Sequence, residues 1–166
     1  MKTGRGGYRY SRMQMMEGYG DDTYRSGRKP SGPVQCPRCR AVFRQGRWSW
    51  GAAQGVAARR RCPACQRIDE GYPAGYVSLG GEFFRARRGE VLALVRNCEQ
   101  RESTEHPLER IMKIEDGGAG VTVTTTSPHL ARIIGHALKA AFKGSLDQVY
   151  NRQDNLLRVR WTRGAE

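Results

Sequence analysis

Apolar residues recur at helical spacing most clearly in one stretch near the C-terminal end. Leu130, Ile133, Ile134, Ala137, Leu138, Ala141 and Phe142 fall at offsets of 0, 3, 4, 7, 8, 11 and 12, which places all seven on one face of an α-helix. Ser127 suits the N-cap, Pro128 the first turn and Gly144 the C-terminal cap. On either side of this helix the period changes to two. Arg110–Glu115 and Val121–Thr126 read as strands joined by Asp116-Gly-Gly-Ala-Gly120. Leu146–Tyr150 and Leu156–Trp161 read as two more, the last with Leu157, Val159 and Trp161 inward and Arg158 and Arg160 outward. The predicted unit, residues 107–166, is ββαββ: a four-stranded antiparallel sheet crossed by one helix.

Upstream the periodicity is weaker. Phe84, Val91, Val95 and Cys98 predict a helix over about residues 82–102, weakened at Gly89 and ended before His106-Pro107. A turn and short strand between Tyr72 and Leu79 precede it, and Gly80-Gly81 breaks that strand. Further back, Ala41-Val42-Phe43 and Arg47-Trp48-Ser49-Trp50 alternate like a hairpin about Gln45-Gly46, with both tryptophans on one face and Arg47 opposite. Residues 1–33 mix Gly, Arg and Tyr with little apolar bulk, so this tail is expected to stay disordered. A short helix around Tyr10–Glu17 is expected when it is bound.

Cysteine spacing changes the picture for residues 34–72. Cys36-Pro-Arg-Cys39 and Cys62-Pro-Ala-Cys65 are separated by 22 residues. Two residues between cysteines let one tight turn aim both sulfurs at one point, and two such turns complete a tetrahedron around one structural Zn²⁺. The competing disulfide reading needs an oxidising compartment. No apolar run approaches the roughly 18 residues that span a bilayer, and no apolar leader follows Met1. The expected compartment is therefore the cytoplasm, where the odd cysteine, Cys98, remains a thiol. The expected fold class is α+β: a disordered basic tail (1–33), a four-Cys zinc ribbon (34–72), a strand and central connecting helix (73–106), and the ββαββ antiparallel-sheet domain (107–166). The tryptophans are expected to cover the metal, with base stacking by one of them as the alternative.

Charge narrows the function. The net charge of +13 is spread as +4 over residues 1–35, +6 over 36–70, −1 over 71–116 and +4 over 117–166. Four thiolates on one Zn²⁺ leave an excess of negative charge that absorbs part of the ribbon's surplus. The remainder points to a polyanionic partner. Candidate phosphate contacts are Arg40, Arg44, Arg47, Arg59, Arg60 and Arg61 in the ribbon, Arg132, Lys139 and Lys143 on the C-terminal helix, and Arg158 and Arg160 on the last strand. The helix stripe of Arg132, His136, Lys139 and Lys143 contains no acid, although a solvated face is its plainer explanation. Arginine beside tyrosine in the tail suits single-stranded nucleic acid, with simple solubilisation as the alternative. Nothing reads as base-specific recognition, so contacts should be chiefly to phosphates. Enzyme chemistry lacks its residues. There is no P-loop and no zinc-deaminase motif pair, and four thiolates leave zinc no position for water. Cys98 with His106 imitates a Cys–His pair, but a buried helical cysteine is far commoner, and His129 and His136, seven residues apart on one helix, lack a carboxylate helper.

The segments "CPRCRAVFRQGRWSW", "CPACQRI", "YPAGYVSLGGEFF", "LVRNCEQRESTEHPLERIMKI", "VTTTSPHLARIIGHAL" and "LLRVRW", covering roughly Tyr24 to Arg163, resemble a family of short bacterial zinc-ribbon proteins. The paired cysteines also resemble the N-terminal zinc region of the nonsense-mediated-decay and large-ribosomal-subunit export adaptor of archaea and eukaryotes. The first resemblance implies a cytoplasmic bacterial protein, the second a place on the ribosome. Only Cys36, Cys39, Cys62 and Cys65 carry over as functional residues. Arg40 stands where such knuckles have glycine, and Ser127-Pro128 where an Asp followed by an aliphatic residue is expected. The expected partner is RNA, chiefly ribosomal, with ribosomal proteins as possible further partners and a role in assembly, hibernation or decay. No membrane or small-molecule partner is expected. The alternatives are a DNA-binding zinc ribbon of transcription and a protein adaptor using the mixed-charge central helix.

Overall fold

Sheet pairing, more than helix placement, separates the observed fold from the expected one. The structure, a computed structural model, describes Tyr24 and residues 29–165. Apart from Tyr24 and residues 29–33, the predicted tail lies outside the described residues, as does the helix around Tyr10–Glu17.

Four short strands build the ribbon: β1 (Val34–Gln35), β2 (Val42–Arg44), β3 (Arg47–Ser49) and β4 (Ala58–Arg59), in the order β3-β2-β1-β4. The β2–β3 hairpin forms as predicted, pairing Phe43 with Trp48. Its turn residues Gln45 and Gly46 sit at φ 49° and 78°, the left-handed pair that a two-residue turn requires between right-twisted strands. Helix α1 (Pro63–Glu70) follows, with Cys62 at its N-cap, Pro63 in the first turn and Gly71 at its C-cap, φ 64°. The second cysteine pair is thus a helix start, not the second knuckle turn that the spacing predicts. Proline inside the first turn and glycine just past the end are its local causes.

The larger sheet has five strands in the order β6-β7-β5-β9-β8. They are β5 (Gly75–Gly80), β6 (Ile111–Gly117), β7 (Gly120–Thr125), β8 (Ser145–Asn151) and β9 (Leu156–Thr162). This corrects the four-stranded antiparallel ββαββ sheet. β5 enters at the centre, antiparallel to β7 and parallel to β9, so the sheet is mixed and residues 73–106 share it with 107–165. The physical reason lies in register. Val77 stands level with Val123 and Val159, and all three are buried, so β5 completes an apolar row while pairing the inner edges of its neighbours.

The predicted central helix is two: α2 (Glu82–Ala86) and α3 (Arg88–Glu105). The break falls at Arg87 (φ −120°, ψ 30°) rather than Gly89. It lets α2 bury Phe83 and Phe84 in the sheet core while α3 turns Val91, Leu92, Val95 and Cys98 inward. Helix α4 (Pro128–Phe142) starts as predicted, with Ser127 Oγ accepting a hydrogen bond from Leu130 N at 3.0 Å. It lies on the sheet through Leu130, Ile134 and Leu138. A Cβ at Gly135 would stand 2.7 Å from Val159 Cγ1, so the glycine permits that close approach. Trp161, fully buried, donates from Nε1 to Lys143 O at 2.7 Å and anchors the far end. Among the described residues, no helix is long and apolar enough to cross a membrane.

Candidate metal centre

The sulfurs of Cys36, Cys39, Cys62 and Cys65 lie within 4.8 Å of one another. Cys36 follows β1 and Cys39 lies in the turn after it. Cys36 N donates to Ala41 O at 2.8 Å and Arg40 N to Cys36 O at 3.0 Å, which folds the loop around its sulfurs. Arg40 adopts φ 70°, the left-handed conformation that glycine takes without strain. Arg40 thus holds a backbone conformation that favours glycine. On the other side Cys65 N donates to Cys62 Sγ at 3.4 Å. The pair sits at the positive end of α1, which lowers the cost of ionising its sulfurs.

Cys36, Cys62 and Cys65 are buried and Cys39 is partly exposed. Trp48 and Leu108 pack against the cluster. Trp50 does not: it is 47% exposed, and its Nε1 donates to Ser103 O at 2.6 Å. β3 ends at Ser49, so Trp50 leaves the face that Trp48 occupies and reaches α3 instead.

Three of the sulfurs are shifted, and not in the same direction. The hydrogen bond with Cys62, across 3.7 Å, holds the Cys39 thiol down at about 4. The same hydrogen bond and then burial push Cys62 up. Burial raises Cys65, with Arg110 opposing it. Arg110 is the residue that sequence reading missed. It stands just before β6, and its Nη2 donates to Cys62 Sγ at 3.2 Å and to Cys65 Sγ at 3.3 Å. No local signal marks it, because its partners lie 48 and 45 residues away.

Four thiolates are a soft donor set that fills a tetrahedral site without leaving a ligand position open. One metal ion fits them.

The basic candidates divide into committed and free. Arg44 Nη2 donates to Ala52 O at 3.0 Å and also to Gln54 O, so it ties down its own loop. Arg61 pairs with Asp69 at 2.7 Å, a carboxylate shared with Arg38. Lys139 donates to Gly144 O, and Lys143 to Ala140 O at 3.1 Å, so both ammoniums answer carbonyls at the C-terminal end of α4. Arg132 is half-buried on that helix. Neighbouring His136 is lowered, first by burial and then by Arg132. Arg158 lies 4.9 Å over the Tyr76 ring, and Arg160 is exposed opposite Asp147. Arg60 is exposed, with its backbone N–H on Gln35 O at 3.0 Å. Arg40, Arg47 and Arg59 are exposed and make no ion pair with the described residues. Of the remaining titratable groups, Cys98 is buried and its thiol raised by that burial, while His129 faces Glu102 at 3.7 Å.

Compared with known protein families, curated proteins and solved structures, the chain matches none.

Proposed function

We propose that this chain is a zinc-ribbon RNA-binding protein that acts on the ribosome, in assembly, hibernation or RNA decay. The observation that carries the reading is the closed four-sulfur cluster with uncommitted arginines rooted on its small sheet. Zinc suits the donor set, and with all four positions filled it has a structural role and no part in turnover. Among the described residues the ribbon's two acids are both engaged, Asp69 by Arg38 and Arg61, and Glu70 by Tyr24. The positive charge of Arg40, Arg47 and Arg59 is therefore left for an outside anion. Held on a metal-fixed frame, these side chains lose less freedom on meeting phosphates than they would on a mobile segment. A ribosomal target and a cytoplasmic location follow the resemblance of the paired-cysteine segments, and ribosomal proteins are the natural further partners there.

Co-sedimentation with ribosomal subunits at low and high salt tests the reading. Wild-type protein should pellet with subunits at low salt and leave them at high salt. The combined change of Arg40, Arg47 and Arg59 to Gln should abolish pelleting while zinc content stays at one per chain. Pelleting that ignores both salt and the triple substitution would favour a protein adaptor and overturn the RNA reading.

A further inference from the structure

The ribbon and the larger sheet meet at the metal centre, and Arg110 connects them at the sulfurs themselves. Arg110 reaches from the start of β6 to two sulfurs of the other unit, at 3.2 and 3.3 Å. Leu108, two residues earlier, packs on the same cysteine cluster. Trp50 returns the contact from ribbon to α3. The Arg110 guanidinium is half-buried, makes no ion pair with a described carboxylate, and its buried Nε has no hydrogen-bond partner. A buried cation with one donor unsatisfied must be held by charge, and the charge at hand is that of the sulfurs.

We infer that Arg110 is a positioning residue of the metal centre, which locks the second cysteine pair for metal and makes metal occupancy hold the ribbon on the sheet. The inference rests on the zinc reading above. A loaded centre carries negative charge in excess, which Arg110 offsets from outside the coordination sphere. The hydrogen bonds are one-sided: Cys62 and Cys65 receive the guanidinium, while Cys36 and Cys39 lie in the loop after β1, where Cys39 feels only its charge. Metal loss frees the sulfurs from their tetrahedron, weakens both acceptors, and deprives Arg110 of the excess negative charge at the junction. The seat of the ribbon then loosens while the five-stranded core, which has its own apolar residues, stays folded.

The test uses the full chain loaded with zinc or with cobalt as a spectroscopic stand-in. Arg110→Gln should speed zinc transfer to a chelator by about 10–100-fold, the usual scale for losing an outer-shell partner. It should also move the sulfur-to-cobalt charge-transfer bands to lower energy, because thiolates stripped of N–H donors give up electrons more readily. Hydrogen exchange should rise in residues 103–111 and in the ribbon, but not in β5, β7 or β9. Arg110→Lys keeps the charge and the stem but not the two-sulfur fork, and should show a smaller shift of the same bands. If the Gln variant fails to fold, the Lys bands decide. Unchanged release and unchanged bands in a folded variant overturn the inference and leave the zinc reading standing. Wild-type protein that takes up no cobalt overturns both.

Discussion

At the scale of single residues, the metal-free cysteines are not alike in where they hold protons. Cys39 is held down, toward the thiolate, whereas Cys62 and Cys65 are pushed up and carry protons near neutral pH. Zinc requires all four as thiolates, so its binding must expel those protons. The bound state is the deprotonated one; affinity therefore grows as pH rises and falls as acid returns the protons. The logarithm of the zinc binding constant should climb by at least about two per pH unit around neutrality, with the protons of Cys62 and Cys65 among those released. Calorimetry in buffers of different ionisation enthalpy measures that release, and a pH-independent affinity would contradict the assignment. The cysteines were legible because two-residue spacing is a local pattern. Arg110 was not, since what makes it functional is a tertiary contact that no window of sequence contains. Arg40 was legible as an anomaly, and its φ of 70° shows how the loop accommodates it.

At the scale of elements, α4 was the most legible piece because its apolar face, cap and first-turn proline all agree. Its start also joins to the strand side: Ser127 Oγ accepts from Leu130 N and donates to buried Glu109. Ser127→Ala removes the cap and leaves that carboxylate short of a donor, which should cost about 1–3 kcal/mol in urea unfolding. Zinc content should not change, and a loss below the error of the measurement would mean that the cap is dispensable. Gly135→Ala tests the packing of the same helix. The added methyl meets Val159 at 2.7 Å, so overpacking should destabilise the sheet unit by about 1–3 kcal/mol. Two elements escaped the sequence for opposite reasons. β5 was visible as a strand but its partners were not, because alternation shows which face is buried and never which neighbour is paired. α1 was hidden by its own cysteines: Cys62-Pro63 reads equally as a knuckle and as a capped helix start until Gly71 is taken as its end.

At the scale of the whole molecule, the described residues form two sheets that meet at a cysteine cluster. The central strand was placed in a connecting segment, yet it organises the core. Charge distribution was fully legible, being a property of composition, but commitment was not. Arg44, Arg61, Lys139 and Lys143 are engaged by carbonyls or a carboxylate, which trims the phosphate-binding set that sequence alone proposes. The central claim is that the metal-fixed ribbon presents arginines to RNA phosphates. Its most direct test is the binding constant of zinc-loaded protein for ribosomal RNA across a series of salt concentrations. Four to five phosphate contacts, from Arg40, Arg47, Arg59 and their neighbours, predict a log–log slope of about −3 to −4 through counterion release. A slope near zero, with affinity retained, would contradict it.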